Sequence, residues 1–257
     1  MTDPVLYEVR DDAAWITLNT PENHNALSNA LCQGLADAVA RATVDDAARM
    51  IVLTGVGRSF CAGADLKGRG GGAVEEQKEG EAPPFVRAIR DMWESPKPVI
   101  GRIQGGAYGG GLGLIAACDF AICVDTLNFA FTEVRLGLAP SIISVFVMRK
   151  IPLSEATRYF LSGERFPAAE AQRLGLIERA VPEPELDKAV AERIDVLRQG
   201  GPLALREVKT LLRTVPNLDI EEGLRWAHAN NQNLFNAEEG REGMNAFAEK
   251  RKPRWAP

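Results

Sequence analysis

Hydrophobic positions follow strand periodicity near the start of the chain and helical periodicity soon after it. The segments VLYEVR (5–10) and AAWITLN (13–19) alternate and carry β-branched or aromatic residues, which predicts a hairpin. After a polar loop, apolar residues recur at helical spacing over 31–42, and Ser28 stands at the expected N-cap position. The chain is therefore predicted to open with two strands and a helix.

Two glycine-rich segments follow predicted strands in the middle of the chain. The strand RMIVLT (49–54) leads into GVGRSFCAGADL (55–66), and the strand KPVIGRI (97–103) leads into QGGAYGGGLG (104–113). The second segment continues into an apolar helix, LGLIAACD (112–119). We expect both glycine-rich segments to be loops.

The downstream pattern predicts three strands and one apolar helix: DFAICV (119–124), LNFAFTEV (127–134), LIERAV (176–181) and the helix SIISVFVMRKI (141–151). Apart from LIERAV, the pattern from Ser154 onward is helical. Strand pairs that recur with helices predict a layered α/β core. We place this core at residues 1–195 and a helical region that packs against other subunits at residues 196–257.

Composition and charge exclude some classes of function. A net charge of −5 and a pI of 5.3 give no basic surface for neutralising phosphates, so we expect no nucleic-acid partner. The N-terminus lacks a basic region followed by an apolar one, and no apolar run is long enough to span a bilayer. We expect a soluble, cytoplasmic protein with no membrane partner.

Four cysteines form no CxxC pair: Cys32, Cys61, Cys118 and Cys123. Only two histidines could join them as metal ligands. We therefore expect buried thiols, with neither a metal site nor disulfides.

The two glycine-rich segments permit a particular chemistry. A strand-to-helix loop presents backbone N–H groups that the helix leaves unpaired, and glycine lets a ligand approach them closely. Two such loops that converge could donate two hydrogen bonds to one oxygen, which is an oxyanion hole. Spacing alone leaves open the alternative that these glycines only allow tight turns and close packing.

A dinucleotide site is another alternative. Gly111, Gly113 and Ala116 match G-x-G-x-x-A after a predicted strand, and Glu133 stands at a plausible distance for a ribose contact. However, two closely spaced strands replace the expected βαβ continuation, and the first glycine-rich segment stays unexplained. The pattern favours the oxyanion hole.

Several motifs in this order resemble the enoyl-CoA hydratase/isomerase, or crotonase, family: NTPENHNALS (19–28), FCAGADLK (60–67), GGAYGGGLGLIAACDFAI (105–122) and FTEVRLGLAP (131–140). The resemblance implies a spiral of ββα units with a C-terminal helical region that assembles homotrimers or hexamers. It also implies a coenzyme A thioester as substrate and no tightly bound cofactor.

The resemblance also implies roles for individual residues. The oxyanion-hole donors fall on the N–H groups of Ala64 and Gly110, and Glu133 falls where the family carries a glutamate that moves a proton. Apolar neighbours should raise the pKa of Glu133 by desolvation. Further residues are expected to line the coenzyme A channel or to approach its phosphates: Asn25, Ala26, Ala62, Ala64, Asp65, Leu66, Lys67, Gly110 and Lys250.

One position departs from the family pattern. Typical hydratases carry a second glutamate where this chain has Gly113, and adding water usually uses two carboxylates. The departure resembles a subgroup of hydratases of branched or carboxylated substrates, such as methylglutaconyl-CoA. Five glutamates could supply the missing group: Glu75, Glu76, Glu79, Glu81 and Glu94.

We therefore predict hydration of a 2-enoyl-CoA. The alternatives, in descending order, are double-bond isomerisation by the single base Glu133, a non-catalytic acyl-CoA-binding protein, and a nicotinamide dehydrogenase.

Overall fold

The computed structural model describes residues 3–66 and 81–257. Its strands are β1 (Val5–Arg10), β2 (Ala13–Leu18), β3 (Met50–Gly55), β4 (Ser59–Cys61), β5 (Val99–Ile103), β6 (Gly106–Tyr108), β7 (Phe120–Val124), β8 (Asn128–Ala130), β9 (Phe166–Pro167) and β10 (Arg179–Val181). Its helices are α1 (Asn29–Val44), α2 (Pro84–Glu94), α3 (Gly110–Ala117), α4 (Ser141–Val147), α5 (Leu153–Ser162), α6 (Ala168–Arg173), α7 (Leu186–Arg198), α8 (Pro202–Thr214), α9 (Ile220–Asn236) and α10 (Glu238–Ala248).

Successive strands enter two different sheets. A six-stranded sheet has the order β1-β2-β3-β5-β7-β10, and a four-stranded sheet has the order β4-β6-β8-β9. Only the β1–β2 and β8–β9 pairs among these strands are antiparallel. Each pair β3–β4, β5–β6 and β7–β8 gives one strand to each sheet before a helix follows. This is the predicted spiral of ββα units, and the α/β fold class is confirmed.

The opening elements form as their sequence predicts. The hairpin pairs Val5 with Leu18 and Arg10 with Ala13. The Ser28 hydroxyl accepts a hydrogen bond from the N–H of Leu31 at 3.2 Å, which satisfies a donor that the first turn of α1 leaves unpaired. The predicted hairpin and helix cap are both confirmed.

The prediction that the two glycine-rich segments are loops was wrong in part. Each contains a short strand, β4 or β6, and these strands pair in parallel with Cys61 opposite Ala107. Glycine permits this close approach, because a Cβ atom at Gly111 would lie 2.6 Å from the carbonyl oxygen of Cys61. Periodicity cannot reveal strands of three residues that are rich in glycine.

The predicted strand over 127–134 was also wrong at its end. Strand β8 stops at Ala130, and Glu133–Leu136 forms a 3-10 helix. Gly137, at a φ of 71°, closes this turn, and the N–H of Leu138 donates to the carbonyl oxygen of Glu133 at 3.0 Å. Because of this turn, the side chain of Glu133 does not follow the alternation of side chains along strand β8. The two-residue strand β9 was not predicted.

The chain divides into two compact units. The first comprises Met1–Ser95 and Val99–Val190, and the second comprises Pro96–Pro98 and Ala191–Pro257. The second unit is helical and begins inside α7. No helix in the described part of the chain is long and apolar enough to cross a lipid bilayer.

Acidic side chains organise the second unit. Both carboxylate oxygens of Glu239 accept from the first turn of α8, from the N–H groups of Leu203 and Ala204, at 2.9 Å each. Arg251 donates to Glu242 at 2.6 Å and lowers the pKa of that buried carboxyl to about 2. The unit also exposes large apolar side chains on its helices. The predicted oligomer stays a prediction.

Candidate active site

A cavity of about 390 Å³ lies at the two glycine-rich segments. Its described lining comes from Leu27, Cys32, Ala64, Pro83, Phe85, Gly110, Glu133 and residues 139–143. Most of these side chains are apolar, and Glu133 carries the one carboxyl group among the described lining residues. A polar group of a ligand would therefore meet few partners besides this carboxyl and the backbone.

The backbone N–H of Ala64 points away from the neighbouring segment that contains Leu27. The N–H of Leu27 donates to the carbonyl oxygen of Gly63 at 2.7 Å. Because a trans peptide points its C=O and N–H in opposite directions, the N–H of Ala64 points away from Leu27. Gly63 has a φ of 87°, and a Cβ atom there would lie 2.8 Å from the carbonyl oxygen of Tyr108 and 3.6 Å from the nitrogen of Gly110. Glycine thus brings the two segments together.

Gly110 supplies a second N–H at the same cavity. It is the first residue of α3, whose first-turn N–H groups have no intrahelical partner. The preceding residue, Gly109, has a φ of 49° and donates its own N–H to the carbonyl oxygen of Ala130 at 3.0 Å. A Cβ atom at Gly109 would lie 3.1 Å from Oε1 of Glu133. The helix N-terminus and the carboxyl group are therefore adjacent.

The carboxyl group of Glu133 is available for proton transfer. Its Oε2 atom is buried and has no hydrogen-bond partner among the described residues. Desolvation by burial raises the pKa of this carboxyl above the ordinary glutamate value. The predicted direction of the shift and its cause are confirmed.

Asn25 has structural partners for its side chain. Its amide nitrogen donates to the carbonyl oxygens of Val56 and Ser59 at 3.0 Å each, and its Oδ1 accepts from the N–H of Thr20 at 2.9 Å. The residue is fully buried and adopts a φ of 53°, which asparagine tolerates better than most residues. These bonds hold the segment before α1 against the chain that leads to Ala64.

We expect Asn25→Asp to lower the free energy of unfolding by at least about 1–3 kcal/mol, because it removes both donors and turns a carboxylate toward two carbonyl oxygens. The midpoint of urea denaturation measures this loss. Asn128→Asp adds the same charge at an exposed position and serves as the control. An equal midpoint in the two variants would contradict the role assigned to the Asn25 amide.

Other residues predicted to bind coenzyme A are close in sequence to residues that line the cavity. Ala26, Ala62, Asp65 and Leu66 are not among its described lining residues. Lys67 lies outside the described residues. Their binding roles stay predictions.

Lys250 belongs to the second unit and follows α10 with a φ of 56°. Its predicted position near a phosphate stays a prediction. Of the candidates for a second carboxyl, three lie outside the described residues: Glu75, Glu76 and Glu79. Glu81 and Glu94 are exposed and do not appear in the described lining.

The packing of Gly113 was not foreseen from the sequence. A Cβ atom there would lie 2.8 Å from the Cβ of Ile143 and 3.2 Å from Cδ1 of Ile89. A glutamate at this position would collide with the side chain of Ile143, which would have to shift. The period of the SIISVFV helix indicated an apolar face, but not which side chain would reach the cavity.

A spiral of ββα units with a cavity at its glycine turns is the architecture of the crotonase class of enzymes. The chain belongs to the enoyl-CoA hydratase/isomerase family, whose model matches residues 8–257. It is an enzyme of that family.

The relatives cover nearly the whole chain. A Thermus thermophilus protein, provisionally named an enoyl-CoA hydratase, is 33% identical over 94% of this chain and 96% of its own. The carnitinyl-CoA dehydratase of Salmonella arizonae is 33% identical over 93% of each chain. The crystal structure of an enoyl-CoA hydratase from Shewanella pealeana is 31% identical, with a TM-score of 0.92 over 98% of this chain and 96% of that one.

Family membership decides against the dinucleotide alternative, and the structure gives its glycines another explanation. Gly111 packs on the backbone of Cys61, and Gly113 packs beneath Ile143. Both glycines serve close packing around α3.

Proposed function

We propose that this enzyme adds water to the double bond of a 2-enoyl-CoA, with coenzyme A present only as part of the thioester substrate. The observation that carries the proposal is the half-buried carboxyl of Glu133, with its unpartnered oxygen, in the same cavity as Ala64 and Gly110. A relative named for dehydration of carnitinyl-CoA supports chemistry that adds or removes water.

The two backbone N–H groups stabilise the transition state. They donate to the thioester oxygen of the substrate, and these hydrogen bonds strengthen as negative charge develops on it. Since the cavity is largely apolar, they act in a medium of low dielectric constant, where each bond is stronger than in water.

Glu133 handles the protons of both half-reactions. Its carboxylate accepts one proton of a water molecule while the water oxygen bonds to C3, and the electron pair of the double bond moves into the enolate. The carboxyl then returns that proton to C2, so that the elements of one water molecule are added. A single carboxyl close to both carbons suffices for this sequence.

Isomerisation of a 3-enoyl-CoA is the second candidate. It is favoured by one observation, the packing of Ile143 where a second carboxylate would stand. In that reaction Glu133 takes a proton from C2 and returns it to C4, and no water is consumed.

Product masses, measured after chromatographic separation of positional isomers, distinguish the two reactions. We would incubate the protein with 2-enoyl and 3-enoyl thioesters of coenzyme A, both straight and branched, including methylglutaconyl-CoA. A gain of one water from a 2-enoyl substrate supports hydration. Conversion of a 3-enoyl substrate to an isomer of unchanged mass, with no water gained from any 2-enoyl thioester, would reject it.

The raised pKa of Glu133 predicts a pH-dependent stability. A carboxyl whose pKa is higher in the folded state stabilises the fold fully below its unfolded pKa, and this contribution is lost as the pH rises through the folded pKa. Glu133→Gln avoids this loss. We expect the melting temperature of the variant minus that of the native chain to become larger as the pH rises from about 4 to 7. A difference that stays constant over this range would contradict the assignment.

We further propose that the enzyme acts in the cytoplasm as a homotrimer or a dimer of trimers. The second unit exposes Ile220, Leu224 and Phe247, and exposed apolar surface of this kind is typical of subunit contacts. The four cysteines are buried thiols that form no disulfide, as expected in a reducing compartment. The proposed ligands of coenzyme A remain those that the resemblance implies: the backbone at Asn25 and Ala26, residues 62–67, and Lys250.

A further inference from the structure

Ile143 fills the space beside Gly113 at the wall of the cavity. It is 3% exposed and belongs to α4, and its Cβ would stand 2.8 Å from a Cβ at Gly113. Ile89 of α2 lies against the same position at 3.2 Å. Three helices therefore meet at a glycine, and the side chain of Ile143 occupies the volume that a residue at position 113 would take.

This wall stands close to the proposed thioester site. Gly110 and Gly113 are three residues apart on α3, so they share a face of the helix and are separated by about 4.5 Å along its axis. Both Gly110 and Ile143 line the cavity. An acyl chain that leaves a thioester oxygen held at Gly110 and follows α3 meets Ile143 after about one helical turn.

The side chain of Ile143 is suited to act as a fixed stop. A β-branched residue in a helix has one strongly preferred χ1 rotamer, unlike leucine or methionine. The side chain is 3% exposed and lies against Gly113 of α3, which leaves it little space to move. A longer acyl chain could extend past Ile143 only by displacing its side chain.

We propose that Ile143 is the specificity-determining residue that closes the acyl end of the cavity and restricts the substrate to short acyl groups. This inference rests on the proposed function, because it assumes that a thioester oxygen binds at Ala64 and Gly110.

Calorimetric titration with saturated acyl-CoA thioesters tests the inference without depending on turnover. The native chain should bind butanoyl-CoA at least about tenfold more tightly than octanoyl-CoA, since a few methylene groups change affinity by that order in an apolar pocket. Ile143→Ala should shift the ratio of the two dissociation constants about tenfold toward octanoyl-CoA. Ile143→Val, a milder change, should shift it in the same direction by less.

Val147→Ala is the matched control, because Val147 is fully buried one turn further along α4 and is not among the described lining residues. It should leave the ratio as in the native chain, and melting curves show that each variant is folded. An unchanged ratio in both Ile143 variants, or a native chain that binds the two thioesters equally, would overturn the inference while leaving the proposed function intact. Failure to bind either thioester would overturn the proposed function and this inference with it.

Discussion

Glu133→Gln should lower kcat by about 10²–10⁴-fold, the usual contribution of a positioned general acid or base, while acyl-CoA binding stays within a few-fold of the native value. Glutamine keeps the size and polarity of the side chain but cannot exchange the proton. The buried Oε2 has no partner among the described residues, so the substitution breaks no hydrogen bond of that atom. The loss should therefore fall on kcat.

Steady-state kinetics and calorimetry with a saturated acyl-CoA separate these two effects. Glu94→Gln makes the same chemical change at a glutamate whose side chain is 63% exposed on α2, and it should leave both quantities unchanged. Native turnover in Glu133→Gln would remove this carboxyl from the mechanism. Equal losses of binding and turnover would instead indicate that it only shapes the cavity.

Removing the N–H of Gly110 should have the second large effect. Proline lacks this donor but is tolerated at the first position of a helix, where Gly110 stands. A Cβ atom here would collide with Cδ1 of Leu27, so both the test and its control carry Leu27→Ala. Relative to Leu27→Ala with Gly110→Ala, we expect Leu27→Ala with Gly110→Pro to lower kcat/KM by ~10²–10³-fold, equivalent to about 2.7–4 kcal/mol.

The alanine double variant is a demanding control for this experiment. It has the same Leu27→Ala truncation and also carries a Cβ atom at position 110, but it retains the N–H. The comparison therefore isolates the hydrogen bond. Circular dichroism and melting curves verify that both proteins are folded. If the folded proline variant matches the alanine variant in kcat/KM, the thioester oxygen does not bind at Gly110.

The sequence predicted those parts of the fold that long periodic segments specify. The hairpin and the Ser28 cap follow from alternation, helical spacing and one hydroxyl side chain, all of which are local, whereas the ββα order was implied only by the family resemblance. The glycines of both segments also indicated where two backbones approach a common point. What these signals share is that a few neighbouring residues determine them.

The features that the sequence did not predict depend on contacts between distant segments. Strands β4 and β6 exist because they pair with each other; the turn at Glu133 is a local exception, closed by Gly137 four residues further on. The match between Gly113 and Ile143 joins residues of two helices, and no period within either helix reveals it. The side chain of Asn25 likewise finds partners more than thirty residues away.

Because both proposed donors to the thioester oxygen are main-chain amides, they persist through most changes of the side chains that line the cavity. Ordinary point mutations can reshape the walls around Leu27, Phe85 and Ile143 and leave those amides in place. A lineage built on this scaffold could thus explore new acyl groups stepwise, without first losing its ability to form an enolate.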